Sequence, residues 1–406
     1  MGSDFNQRDK GFQIADLRPA GYVQAAQNRT VKDLLTMKRR WNCSQDEFTN
    51  WPHAFKYAKC ENPPLLGRPA PANSHFTNHL FTPGPESAAH QHLAHQHLAP
   101  CAQAAPEFTL FDWQIQREMQ RVGGVSPELL AMQDADKDTF LHIAVAQGQR
   151  ALAYALATQM ARCGSLDMKE HNGQTALQIA AATDQHLIVR DLLTHGAKVN
   201  TRDLWGRSPL HLCAEKGHFL SLQSIRRTLA GSGEPVDVEM FNYDGLTPLH
   251  TALLSHNGVV KELRTPASPC SHRAEELLQR KQRSLECIRT LLLMGASCGT
   301  KDLKSGRTCL HMASEEANVE LLKVLLAQPS SPSLVNSQTF SGNTALHVVC
   351  SLQNHGAQAE AAKLLVRSGA DPGARNIENE VPSQLVPRGP SGDKVRKILK
   401  AKYLNI

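Results

Sequence analysis

From about residue 133 onward, apolar and polar positions recur in a fixed order. Four-residue signatures open each unit: TFLH (139–142), TALQ (175–178), SPLH (208–211), TPLH (247–250), TCLH (308–311) and TALH (344–347), with a degenerate copy, VPSQ, at 381–384. Successive starts lie 36, 33, 39, 61, 36 and 37 positions apart. Each signature leads into a short alanine-rich stretch such as HIAVAQG or HLCAEKG, then a second stretch with Leu or Val at helical spacing, such as HLIVRDLL or VELLKVLL. The pattern predicts a small-residue helix able to approach its neighbour closely, followed by an amphipathic partner helix. Glycines Gly196, Gly295 and Gly369 then suit left-handed helix caps, and turn signals follow: EHNG, LWG, NYDG, LKSG, TFSG.

A period near ~33 residues with a T-P-L-H signature marks ankyrin repeats. The expected fold is therefore all-α: a solenoid of about seven repeats over residues 133–400, with 401–406 as a tail. In the signature, Thr or Ser caps the helix, Pro suits its first turn, Leu enters the core and His hydrogen-bonds to a neighbouring repeat. His142, His211, His250, His311 and His347 are accordingly expected to be structural. The fourth repeat carries an insertion at about 255–285, expected as a loop that either forms part of a binding face or is merely tolerated at the surface. Ahead of the first repeat, EFTLFDWQIQREMQ places Phe111, Ile115 and Met119 on one helical face. Residues 107–132 are expected to cap the open end of the stack, with an activation segment as the alternative.

The amino-terminal third has a different grammar. Residues 1–18 and the Pro-, His- and Ala-rich stretch 42–106 offer little apolar surface and are expected to be disordered. Six histidines between His75 and His97 raise a metal reading, but without fixed ligand spacing a polar linker is preferred. Between these stretches, the 19–41 segment contains NRTVKDLLTMKRRW. Thr30 and Asp33 form a candidate capping box, and Val31, Leu34 and Leu35 share one face. Lys38, Arg39 and Arg40 make a candidate nuclear-import signal or a solvated basic helix end.

Composition narrows the function. The 406-residue chain has a formal charge of +6 with both signs interspersed, so any electrostatic argument must be local. Ten cysteines without a CxxC pair fit free thiols in a reducing compartment. Without a secretory signal or an apolar run of about 18 residues, a nuclear or cytosolic protein is expected. Phosphate-binding GxxxxGK[ST], GxSxG and HExxH motifs are missing, so neither enzymatic activity nor a cofactor or metal is expected. Binding then falls to the hairpin tips and the concave surface: Lys169, His171, Arg202, Trp205, Tyr243, Lys301, Lys304, Phe340, Arg375 and Glu378. Trp205 and Tyr243 could instead simply pack on the next hairpin.

Beyond the repeat signature, DADKDTFLHIAVAQGQRALAYALA, DMKEHNGQTALQIAAATDQHLIVRDLL, NYDGLTPLHTALLSHN and RNIENEVPSQLVPRGP resemble the inhibitor-of-NF-κB family, and its atypical nuclear branch most. The resemblance implies a seven-repeat solenoid that binds NF-κB dimers through their Rel homology regions, chiefly dimers of the small subunit without an activation domain. It further implies nuclear coregulation of inflammatory genes, with DNA reached through the partner. PAGYVQAAQNRTVKDLLTMKRR also resembles the OCA peptide of octamer-factor coactivators, which implies Val31, Lys32, Leu34 and Leu35 as contacts to POU-domain factors. Classical cytosolic inhibitors resemble one another in a DSGxxS motif and an acidic tail. This chain has no DSG, and RGPSGDKVRKILKAKYLNI carries six Lys or Arg against one Asp, a charge that does not repel DNA. The alternatives are a cytosolic inhibitor that sequesters Rel dimers and a non-Rel ankyrin adaptor.

Overall fold

The computed structural model describes residues 108–403 apart from 232, 265–270 and 354. The 19–41 peptide with Val31, Lys32, Leu34, Leu35, Lys38, Arg39 and Arg40, the histidine-rich stretch and residues 404–406 lie outside the described residues. Among the described residues the regular secondary structure is entirely helical. α1 (Leu110–Val122) and α2 (Pro127–Leu130) precede six helix pairs: α3 (Phe140–Ala146) with α4 (Arg150–Arg162), α5 (Ala176–Ala182) with α6 (His186–Thr194), and α7 (Pro209–Lys216) with α8 (Phe219–Leu229). The series continues with α9 (Pro248–Arg264) and α10 (Ser271–Leu293), then α11 (Cys309–Glu315) and α12 (Val319–Leu326). After the short α13 (Ser331–Leu334), α14 (Ala345–Ser351) pairs with α15 (Gln358–Arg367), and a 3-10 turn (Pro382–Gln384) leads to α16 (Pro390–Tyr403).

Each first helix starts in the same way. The Ser208 amide donates to His211 Nδ1 at 3.1 Å while the His211 amide reaches Ser208 Oγ at 3.5 Å, a capping box with histidine in the usual Glu position. Thr139 with His142, Thr247 with His250, Thr308 with His311 and Thr344 with His347 repeat the box. Because Nδ1 accepts, the proton sits on Nε2. From there, four histidines donate to a carbonyl of the next repeat: His211 to Leu246 at 3.0 Å, His250 to Thr300 at 3.0 Å, His311 to Asn343 at 2.9 Å and His347 to Glu380 at 3.1 Å. In the second repeat Gln178 replaces histidine and keeps both contacts, its Oε1 accepting from the Thr175 amide and its Nε2 donating to Arg207 O at 2.8 Å.

The signature leucines Leu141, Leu177, Leu210, Leu249, Leu310 and Leu346 are all buried, as are the small residues Ala144, Ala180, Ala181, Ala214 and Ala313 behind them. Second helices add Ile188, Leu192, Leu222, Ile225, Ile288, Leu291, Leu321, Leu325 and Leu365 to one continuous core. Each first helix packs on the first helix of the next repeat, so apolar surface that a lone repeat would expose is covered by its neighbour. Both ends of this core are covered. α1 packs on α4, with the Phe111 ring edge-on to Tyr154 at 6.4 Å and the Arg150 guanidinium 3.8 Å over Phe111. At the other end, VPSQ forms only the 3-10 turn, and α16 lays Val395 and Leu399 against α15.

The insertion differs from the expected loop. Most of residues 255–285 is helical: α9 runs on to Arg264, and α10 begins at Ser271. The added turns lie at the junction between the two helices of the repeat, the end away from the hairpins. Arg264 there donates to Glu316 O at 2.8 Å and to His355 Nε2 at 2.7 Å, which links the fourth repeat to the corresponding junctions of the fifth and sixth. Ser255 Oγ also donates to Glu215 O at 2.8 Å, and Asn257 Nδ2 to Met312 O at 2.7 Å, so the start of the extension is fixed to the repeats on both sides.

Candidate functional site

The hairpins that connect successive repeats form one hydrogen-bonded stack. His171 N donates to Asp136 O (3.1 Å), Leu204 N to Asn172 O (3.0 Å), Tyr243 N to Trp205 O (3.0 Å), Leu303 N to Gly245 O (3.0 Å), Phe340 N to Ser305 O (3.0 Å) and Ile377 N to Ser341 O (3.2 Å). The donor in each case is the tip residue, and from Leu204 onward it lies against the turn glycine of the preceding hairpin. A Cβ on Gly206, Gly245 or Gly306 would fall 2.6 Å from Tyr243 Cδ1, 2.7 Å from Leu303 Cβ or 2.6 Å from Phe340 Cδ1. These glycines also hold φ near +70 to +75°, where a side chain is strained in any case.

The tip side chains therefore nest on one face and leave the other open. Leu204, Tyr243, Leu303, Phe340 and Ile377 remain 62, 68, 60, 63 and 74 % exposed, with Trp205 half-exposed beside them. Apolar side chains this open, aligned along consecutive repeats, form a ridge of the kind that marks a protein interface. Covering a Leu or Phe fully contributes roughly 1.5–3 kcal/mol, so a few such contacts are enough to anchor a partner.

Of the residues expected to bind, Tyr243 and Phe340 stand on this ridge, and Trp205 flanks it with the Arg207 guanidinium 4.7 Å from its ring centre. Most of the charged candidates have internal partners. Lys169 Nζ donates to Arg202 O (2.8 Å), Lys301 Nζ to Gln338 O (2.7 Å), and Lys304 pairs with Asp244 at 2.8 Å. Arg375 turns onto Asn379 O at 2.7 Å, and His171 pairs with Glu170 at 2.8 Å. Arg202 is exposed, and Glu378 lines a cavity of about 270 Å³ with Ile377, Ser341 and Glu380 between the last two hairpins. Leu204, Leu303 and Ile377 were missed in the sequence. Their signal is positional: each follows the Asp or Asn that opens its turn, as Tyr243 does.

Two hairpins are clamped from beneath. Arg207 bridges buried Asp203 (2.9 Å) and Glu215 (3.0 Å), and Arg307 bridges buried Asp302 (2.9 Å) and Glu315 (2.8 Å). Burial opposes ionisation of Asp302, but hydrogen bonds from Ser305 and Arg307 outweigh it and pull the carboxyl down to about 2. The signature histidines are displaced the same way for a different reason: burial lowers His211 and His311 to about 4 despite their carbonyl acceptors. They are neutral near pH 7 and serve as hydrogen-bonding struts between repeats. Burial raises the Cys287 and Cys350 thiols to about 12, which leaves them unreactive. Among the described residues there is no group of three or more potential metal ligands, and no helix is long and apolar enough to cross a membrane.

Comparison with known proteins places this architecture. The profile for three copies of ankyrin repeats matches residues 123–203, 188–272 and 278–376. Mouse NF-kappa-B inhibitor delta is 40% identical over 278 residues, which span 68% of this chain and 81% of that protein. The chain belongs to the inhibitor-of-NF-κB family. Within this non-enzymatic family it is a homologue of NF-kappa-B inhibitor zeta: the bovine protein is 54% identical over 296 residues, or 73% of this chain. The chain spans only 41% of the length of that relative. The crystal structure of the ankyrin repeat domain of Bcl-3, described as a unique member of the IkappaB protein family, superposes with a TM-score of 0.52 at 29% identity, covering 65% of this chain and 99% of that domain.

Proposed function

We propose that this chain is a nuclear transcriptional coregulator that docks its hairpin ridge on Rel homology dimers, chiefly dimers of the small subunit lacking an activation domain. It would act on DNA-bound dimers to activate or inhibit selected inflammatory genes. The observation that carries this reading is the exposed apolar ridge on a family member whose last helix is basic. The basic α16 attracts DNA phosphates rather than opposing them. Lys38, Arg39 and Arg40 are the proposed import signal, and Val31, Lys32, Leu34 and Leu35 the proposed contacts to POU-domain factors.

A gel shift with the small-subunit homodimer on κB DNA tests the reading. A slower-migrating ternary complex is expected, and Leu303→Asp with Phe340→Asp should abolish it without unfolding the repeats. Clean loss of the dimer–DNA complex on adding wild-type chain would favour a sequestering inhibitor. No effect of the wild-type chain on either the dimer or its DNA complex would leave a non-Rel adaptor. Replacing Lys38, Arg39 and Arg40 by Ala should lower nuclear accumulation and leave Rel binding in vitro intact.

A further inference from the structure

The carboxy-terminal helix carries more charge than its packing requires. α16 lays Val395 and Leu399 against α15, and Arg396 is used locally, donating to Pro387 O at 3.1 Å and lying 3.6 Å from Asp393. Lys394, Lys397 and Lys400 are all exposed, and no ion pair to any of them is seen among the described residues. Spaced three apart, they form a stripe that rises about 9 Å along the axis, with exposed Arg388 just before the helix. Packing accounts for the apolar side of α16 and for Arg396. It leaves the three lysines unexplained.

We infer that the Lys394–Lys397–Lys400 face of α16 contacts the phosphodiester backbone of duplex DNA directly. This goes beyond the proposed function, in which DNA is reached through the Rel partner, and does not depend on it. Duplex DNA presents one negative charge per ~1.7 Å of axis, so three lysines along one helix face each meet a phosphate without needing a base sequence. A membrane surface is another extended polyanion. An interfacial helix, however, inserts an apolar face, and here that face is already buried in the protein while the exposed side offers lysines.

The test is fluorescence anisotropy of the full chain, without any Rel protein, on a short mixed-sequence DNA duplex between about 50 and 200 mM salt. Lys394→Glu, Lys397→Glu and Lys400→Glu together should weaken binding by at least about tenfold and flatten the slope of log affinity against log salt by about 2 to 3. The milder Lys→Gln triple should give the same change of slope with a smaller loss. A control triple with an equal charge change on exposed residues elsewhere, Arg162→Glu, Lys198→Glu and Arg227→Glu, should behave as wild type. Equal losses in both Glu triples, or no duplex binding by the wild-type chain, would overturn the inference. So would a loss confined to phosphatidylserine vesicles with duplex binding unchanged.

Discussion

The Tyr243 ring lies so close over Gly206 that a Cβ on the glycine would sit 2.6 Å from the ring and 2.9 Å from the Tyr243 amide nitrogen. Gly206→Ala therefore has two costs, the positive φ and the displaced tip. Gly164 isolates the first: its φ is +69° but nothing lies within 4 Å. Urea denaturation should show Gly164→Ala costing about 1 kcal/mol and Gly206→Ala roughly 1–2 kcal/mol more. Equal losses would mean that the tip is free to move aside.

Stability should fall with acid in a definite window. His211, His256 and His311 are lowered by burial to about 4, from an ordinary value of 6.5. The unfolded chain then takes up these protons first, so the contribution is present above about pH 6.5 and lost as pH falls toward 4. Each histidine accounts for on the order of 1–3 kcal/mol. Asp302, drawn down to about 2, adds a loss that begins only below about pH 4. Chemical denaturation from pH 8 to pH 4 checks this; a flat profile would contradict the neutral-strut assignment.

Gln178 shows that the strut needs an amide or imidazole in place, not a titrating group. His311→Gln should keep a donor for Asn343 O and an acceptor for the Thr308 amide, both made by His311 at 2.9 and 3.1 Å. A loss below about 1 kcal/mol is expected, together with a weaker acid dependence. His311→Ala removes both partners in a buried place and should cost about 2–4 kcal/mol. Thermal melts at pH 7 and pH 5 separate the two.

Removing Arg264 should loosen the fourth-repeat extension rather than the whole stack. Its bonds to Glu316 O and His355 Nε2 are at the surface, so Arg264→Ala should change global stability by less than about 1 kcal/mol. Hydrogen exchange of amides 258–264 should quicken markedly, while those of α7 and α11 stay as they are. An unchanged exchange pattern would show that α9 holds its length alone.

The repeats were legible because their information is local and periodic: a cap, a buried leucine and a glycine recur within each unit. The helical nature of the insertion was harder to see. In the first half of α10 only Leu277 is buried among the residues whose side chains are described, too thin an apolar stripe to reveal a period, and its helix is held by neighbours such as Glu320, which pairs with Lys281. The ridge was half-legible. Trp205, Tyr243 and Phe340 draw notice as aromatics in turns, whereas Leu204, Leu303 and Ile377 look like ordinary core residues until the stack shows that each seats on a glycine one repeat away. The pairings of Lys169, Lys301 and Lys304 are equally non-local and leave no mark in the sequence.

Leu303 still donates to Gly245 across the longest gap in the repeat spacing. The fourth repeat therefore lengthens without shifting the frame in which a partner meets the tips, since the extra turns are added at the far end of its helices. One position per hairpin can vary in side chain while the backbone beneath it stays in step. Recognition on this scaffold is thus written as a short string of single letters, open to revision one repeat at a time without renegotiating the fold.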